Sequence, residues 1–312
     1  MCRFRLLPLL MLLLSLTACQ SHAPKDFTAE PLPSASAEPP VLNVHIASDS
    51  TVVSMDIETY VAGVVAGEIP NDWPMEALKA QAILARTFTV KFITEKDSRY
   101  AGADISTDIT EAQAYNADAV NLRIRQAVQE TAGLILLTAE GQLPYTWFHA
   151  HSGGMTETAV HGIDWQGMEP TYTKVTEGEE SAAAPLSVQE WRASFSSGEF
   201  LAACRKAGAD VSGCSTVTIG QKGKSGRAVT LLVDGTAVNT ARLRLALGST
   251  VMRSTLLTEL RAADGSVHMA GRGYGHGVGM PQWGAYALAQ RGMNGEEIAL
   301  HYYGGLHLAK VW

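Results

Sequence analysis

Cysteine is scarce: four residues in 312, none of them in a Cys-x-x-Cys pair. That excludes the common zinc modules built from two such pairs. Charge is sparse as well, at 18% of residues, with 24 basic against 31 acidic side chains and no basic run. A nucleic-acid binder grips phosphates through clustered lysine and arginine, so this chain lacks that footprint. No Gly-x-Ser-x-Gly elbow is present for a serine hydrolase, and no Gly-x-Gly-x-x-Gly turn for a dinucleotide. No repeat recurs at solenoid spacing. The apolar run Leu6 to Leu16 is too short to span a bilayer as a helix.

What is present is a chain 46% hydrophobic, enough to bury a full core. Its N-terminus reads as an export signal. Arg3 and Arg5 precede the apolar run, and Leu16-Thr17-Ala18-Cys19 ends it. This arrangement resembles a bacterial lipoprotein signal spanning residues 1–18, with Cys19 as the lipidated residue. Gln20, rather than aspartate, follows the cysteine, which by the same resemblance favours a periplasm-facing site on the outer membrane. Residues 19–40 are rich in proline, serine and alanine and read as an extended tether. Cys204 and Cys214 then remain. In an oxidising compartment such a pair closes a disulfide, and two separate buried thiols are the alternative.

Order begins near Val41, where Leu42, Val44 and Ile46 alternate as in a strand. Ser54 is a plausible cap for a helix through Ile57, Val61, Val64 and Val65, which must stop near Gly67 because Pro70 forces Ile69 out of helical geometry. Pro74 suits the first position of a second, alanine-rich helix. A third helix is predicted over 119–133, strands at 134–137 and 145–150, an irregular stretch over 161–190, and further strands within 215–270. A glycine-rich loop, Gly271 to Gly279, leads into a helix from Gln282 to about Arg291. Helices and strands mix without strict alternation, so the fold class is α+β.

Four groups of residues are candidates for chemistry. Glu68 follows a helix end in apolar surroundings, where a carboxyl can keep its proton near neutral pH; an exposed loop glutamate is the plainer reading. Lys79 and Arg86 lie two turns apart on one helix face, which is also what a solvated face would show. His149 and His151 alternate along a strand and, with His161 or Glu157, form a candidate metal set, though the pattern is unspecific. Arg272, Tyr274, His276, Gln282 and Trp283 in and after the glycine loop offer planar donors and aromatic faces to a sugar; packing of the loop is the alternative.

Three ordered segments resemble one known family. Tyr60-Val61-Ala62-Gly63-Val64-Val65-Ala66-Gly67-Glu68-Ile69-Pro70 with Trp73-Pro74, Glu76 to Ala82 and Ala85-Arg86-Thr87 form the first. His149 to Gly154 and Gly271 to Ala285 form the others. Together they look like the SpoIID/LytB family of stage II sporulation protein D and amidase-enhancer proteins, over residues 42 to 312. The resemblance implies one SpoIID-like domain at 41–312, not lysozyme-like, with helical motifs packed on mixed and antiparallel sheets. It implies a lytic transglycosylase acting on peptidoglycan glycan strands, with Glu68 as general acid. Lys79, Arg86, His149 and Ser152 would serve the substrate, and a cell-wall amidase is an implied partner. Ile69 stands where methionine is common in the family. Some members bind zinc through cysteines beside the histidine motif; none stands there in this chain, so no cofactor is expected. The rival reading is a non-catalytic peptidoglycan-binding module that stimulates an amidase.

Overall fold

The computed structural model describes residues 38–312. The signal segment, Cys19 and all but the end of the tether lie outside the described residues. The chain opens with β1 (Val41–Ile46) and β2 (Thr51–Asp56), followed by α1 (Ile57–Glu68), α2 (Met75–Glu95), β3 (Ile105–Ser106) and α3 (Leu122–Glu130). Next come β4 (Leu134–Thr138), β5 (Phe148–His149), α4 (Ala159–Ile163) and α5 (Leu186–Gln189). A second group comprises β6 (Glu190–Ser196), α6 (Ser197–Lys206), β7 (Val217–Lys222), β8 (Ala228–Val233), β9 (Thr236–Asn239), α7 (Thr240–Leu247), β10 (Leu257–Ala263) and β11 (Ser266–Arg272). The chain then closes through β12 (Met280–Pro281), α8 (Gln282–Gln290), α9 (Gly295–His301) and β13 (Leu306–Lys310).

The sheets are small and of both kinds, as the α+β reading expects. β2-β1-β3 pairs β1 antiparallel to β2 and parallel to β3; β10-β11-β6 and β7-β8-β9 are antiparallel; β5 runs parallel to β12, and β4 antiparallel to β13. The region expected as one domain carries two hydrophobic cores. The first gathers α1, α2, α3, β4, α8 and α9 around the buried Ile57, Val61, Leu78, Leu84, Ile124 and Tyr302. The second lies within residues 191–269 around Phe200, Leu231, Val238, Leu243 and Met269.

α1 departs from expectation at its start. Ser54 lies inside β2, and Asp56 is the cap, its carboxylate accepting from Thr59 N at 2.9 Å. The register of β1 with β2 holds residue 54 extended, so the next capping side chain takes over. The end is as expected: Ile69 is extended (φ −135°, ψ 153°) ahead of Pro70. Pro74 caps α2 rather than opening it. α1 also carries Gly63 and Gly67 one turn apart. A side chain on Gly67 would stand 2.6 Å from Tyr115 N, and Asn116 N donates to Gly63 O at 2.9 Å. The two glycines let segment 113–116 lie directly on the helix, which places a backbone amide over Glu68.

Candidate active site around Glu68

Glu68 ends α1, half-buried, with its carboxyl beneath the 113–116 segment. Oε1 accepts from Ala114 N at 2.8 Å. Burial dominates and pushes its pKa from 4.5 to about 7, against the lowering effect of the Ala114 and Gln282 hydrogen bonds. The helix C-terminus, with its exposed carbonyls, adds no support for a negative charge. Gln282, the first residue of α8, reaches across: its Nε2 lies 3.3 Å from Glu68 O and 3.5 Å from Gln81 Oε1. Trp283 packs on Trp73 (4.7 Å between centroids) and on Tyr286 (5.1 Å), and Trp73 meets Tyr286 at 5.2 Å. The first and third sequence motifs therefore meet at Glu68, through Gln282 and an aromatic patch. The sequence reading missed Tyr286. Its signal was its place three residues after Trp283, on the same face of α8.

Other expected site residues stand apart from this cluster. Arg86 is 0% exposed. Its guanidinium holds Glu58 through Nε at 3.0 Å and Nη2 at 2.6 Å, and donates to Leu134 O and Val128 O. Glu58 also accepts from Gly133 N at 3.0 Å and Trp312 Nε1 at 2.9 Å. Instead of facing the Glu68 cluster, this arginine ties α1 and α2 to the turn after α3 and, through Glu58, to the C-terminus. Lys79 pairs with Glu76 at 2.8 Å and Glu130 at 2.7 Å, toward α3 and α9. It too belongs to helix packing.

The histidine motif forms a second buried assembly. His149 Nδ1 lies 3.1 Å from Val278 O, while its Nε2 has no hydrogen-bond partner among the described residues. Burial, then the neighbouring His276 and Arg227, hold the His149 pKa well below its ordinary value, and burial with Arg244 and Arg227 lowers His276 to about 3. Both rings are neutral at physiological pH. Ser152 is fully buried: its N donates to Glu180 Oε1 at 2.6 Å, its Oγ accepts from Gly154 N at 3.1 Å, and its O accepts from Arg227 Nη2 at 2.5 Å. His149 and Ser152 thus make their contacts within this buried assembly, apart from the Glu68 cluster. His151 Nδ1 accepts from Gly153 N at 3.0 Å, and His161 sits 3.8 Å from Glu157. Among the described residues no three His, Cys, Asp or Glu side chains converge as a metal's donors would. Cys204 and Cys214 both lie in the second core, far in sequence from this motif, so the residues here do not fit a cysteine-bound zinc.

The glycine loop is the seam between the two cores. Tyr274 exchanges backbone hydrogen bonds with His151 (2.8 and 3.0 Å), Gly273 N donates to Gln189 O at 2.7 Å, and Gly275 N donates to Arg253 O at 2.8 Å. At Gly273, φ is +81° and a Cβ would stand 2.6 Å from His151 O. Only glycine fits there, so packing accounts for the glycines. Arg272 is exposed, and Tyr274 is half-buried with Arg253 over its ring at 5.2 Å. Neither is linked by a contact to Glu68. Cys204 and Cys214 are free thiols, both buried, in place of the expected disulfide; burial first, and Cys214 second, raise the Cys204 thiol to about 11.

The sequence model described as stage II sporulation protein (SpoIID) matches residues 47–137, which include Glu68 and the Ala114 amide above it. Stage II sporulation protein D of Bacillus amyloliquefaciens is 31% identical over 293 residues, covering 89% of this chain and 81% of that protein. The protein of the same name from Bacillus subtilis is 30% identical over 291 residues, covering 88% and 80%. The amidase enhancer of Bacillus subtilis is 26% identical over 290 residues, 79% of this chain but 40% of that longer protein. Likeness of this extent reaches through both cores, and the chain belongs to the SpoIID family.

Proposed function

We propose that this protein cleaves the glycan strands of peptidoglycan as a lytic transglycosylase, with Glu68 as its acid and base. The observation that carries the reading is the Glu68 carboxyl, lifted to about 7 by burial against hydrogen bonds from Ala114 and Gln282, with Gln282 opening the helix whose Trp283 and Tyr286 pack on Trp73. A group with that pKa is protonated often enough to donate and ionised often enough to accept. Glu68 gives its proton to the oxygen between N-acetylmuramic acid and N-acetylglucosamine as the C1–O bond breaks. The primary hydroxyl of the muramic acid then attacks C1 and returns its proton to Glu68, leaving a 1,6-anhydro end. One carboxyl suffices for both steps, whereas hydrolysis by two carboxylates needs a second one nearby. Glu111, which with Glu68 acts on Tyr60, is committed to Arg99 N at 2.6 Å and Ser98 Oγ at 3.0 Å. We also place the protein at the periplasmic face of the envelope, held through lipidated Cys19.

Digestion of purified sacculi followed by mass analysis of the released ends tests the reaction. The wild type is expected to yield anhydro ends. Glu68→Gln, which keeps the shape but cannot transfer the proton, is expected to lose about a hundredfold or more in rate while still co-sedimenting with sacculi. Unimpaired cutting by the variant, or release of hydrated ends only, overturns the mechanism. The likeness to a protein named amidase enhancer favours a second reading, a glycan-binding module that stimulates an amidase. A wild type that cuts nothing yet accelerates an amidase would establish it.

A further inference from the structure

A second aromatic group, which the Glu68 chemistry does not use, lies at the start of the β5–β12 ribbon. Tyr145 and Trp147 stack at 5.2 Å with rings 17° apart, and Trp165 stands edge-on to both, at 5.2 and 5.3 Å. All three are half-buried. Beneath them Lys91 is fixed by Glu95 at 2.7 Å and Leu143 O at 2.8 Å, with its ammonium 4.2 Å from the Tyr145 ring centre. Lys96 is exposed, with no carboxylate partner among the described residues, and its ammonium lies 5.8 Å from the same ring. Burial raises the Tyr145 pKa, with Glu95 adding to it, so the phenol is a neutral donor.

Core packing explains rings that are covered. It does not explain half-exposed tryptophans whose indole N–H groups have no acceptor among the described residues, as holds for Trp147 and Trp165. A buried indole finds a partner; one left free beside a flat apolar face is suited to a ligand with both C–H faces and hydroxyl acceptors. That is the chemistry of a pyranose ring. The place in the fold agrees. Trp147 O accepts from Met280 N at 3.1 Å and Ala150 O accepts from Trp283 N at 3.1 Å, so one short ribbon links this group to Trp283 and to Gln282, which reaches Glu68.

We infer that the Tyr145–Trp147–Trp165 face is a distal sugar subsite, stacking a ring of the same glycan strand and donating to its hydroxyls from the two indoles and Lys96. The inference rests on the glycan-cleaving reading and extends it along the strand. It is tested by fluorine NMR on the full chain carrying 5-fluorotryptophan at its six tryptophans and Glu68→Gln to prevent cutting. The probe is a soluble oligosaccharide of alternating N-acetylglucosamine and N-acetylmuramic acid. The Trp147, Trp165 and Trp283 signals are expected to shift along one saturation curve, while Trp191, buried in the second core, stays in place. Trp165→Ala is expected to weaken binding about tenfold. Lys96→Glu, at an exposed position that leaves the fold alone, is expected to weaken it in the same direction. Shifts at Trp283 without shifts at Trp147 and Trp165 overturn the distal subsite and leave the Glu68 reading standing. Wild-type affinity in both Trp165→Ala and Lys96→Glu does the same. A probe that moves no tryptophan overturns both.

Discussion

The two ends of α1 each carry a glutamate, and the helix treats them oppositely. Glu58, in the first turn, meets the Arg86 guanidinium, the Trp312 indole and the Gly133 amide. Its charge sits at the helix end that favours an anion and is fully paired. Glu68, in the last turn, has one backbone donor and the wrong end of the helix, and its proton is retained to about pH 7. Glu58 is held as a scaffold group is, and Glu68 is the carboxyl to which the proposed reaction assigns the proton transfer. The lesson is that burial alone does not mark a catalytic carboxyl. Burial that outweighs the hydrogen bonds to the charged form does.

Breaking the scaffold end carries the largest expected effect. Arg86→Leu leaves the half-buried Glu58, its side chain 14% exposed, beside two neutral donors; losing one partner of a fully buried pair costs about 3–5 kcal/mol, and this partial exposure sets the expected loss below that, at about 2–3 kcal/mol. The denaturation midpoint should fall accordingly, with cleavage lost only in proportion to unfolding. A variant of wild-type stability that no longer cuts would return Arg86 to the substrate path and end the comparison.

The reactive end shows itself in the pH dependence of stability. A carboxyl whose folded pKa lies above its unfolded one stabilises the fold while protonated. That contribution is complete below about 4.5 and is lost as pH rises through 7. Glu68→Gln removes the titration. It should leave stability unchanged at pH 4 and raise it at pH 8 by up to about 3 kcal/mol. Thermal melts of both proteins across this range give the answer. Parallel curves would mean that Glu68 ionises freely, and its role as acid near neutral pH would fall.

How far the sequence showed this depended on range. α1, its end at Pro70, α2 and α8 were legible because periodicity and proline act within a few residues. The place of Glu68 at a helix end was legible for the same reason. The ion pair of Arg86 was not legible because its partners are distant: Glu58 is 28 residues away, and Trp312 is 254 residues from Glu58. A helix face with two basic residues looks the same whether it meets solvent or a buried carboxylate. The contacts of Ser152 were hidden likewise, its partner Glu180 lying 28 residues on and Arg227 lying 75. α9 was overlooked although its signal was local: Asn294 and Glu297 form a capping box. The second core was seen only as scattered strands, since each is short and pairs across turns that sequence reading leaves open.

The smallest effect belongs to Lys79, and it sharpens the comparison because this residue is ionic yet neither buried nor alone. Its side chain is 19% exposed and shared between Glu76 and Glu130. Removing it strands neither carboxylate: Glu76 keeps Gly295 N at 2.7 Å, and Glu130 keeps Gln126 Nε2 at 2.7 Å. A surface pair of this kind is worth less than about 1 kcal/mol and is screened by salt. Lys79→Met should therefore lower the denaturation midpoint slightly, by an amount that shrinks further in high salt. Glycan binding and cleavage should stay within about twofold of wild type, an energy difference below half a kcal/mol. The resemblance to the family implies the opposite, that this lysine serves the substrate. A folded Lys79→Met protein that no longer binds sacculi would show that the strand passes over α2 between Lys79 and α9, and the Glu76–Lys79–Glu130 cluster would become part of the site.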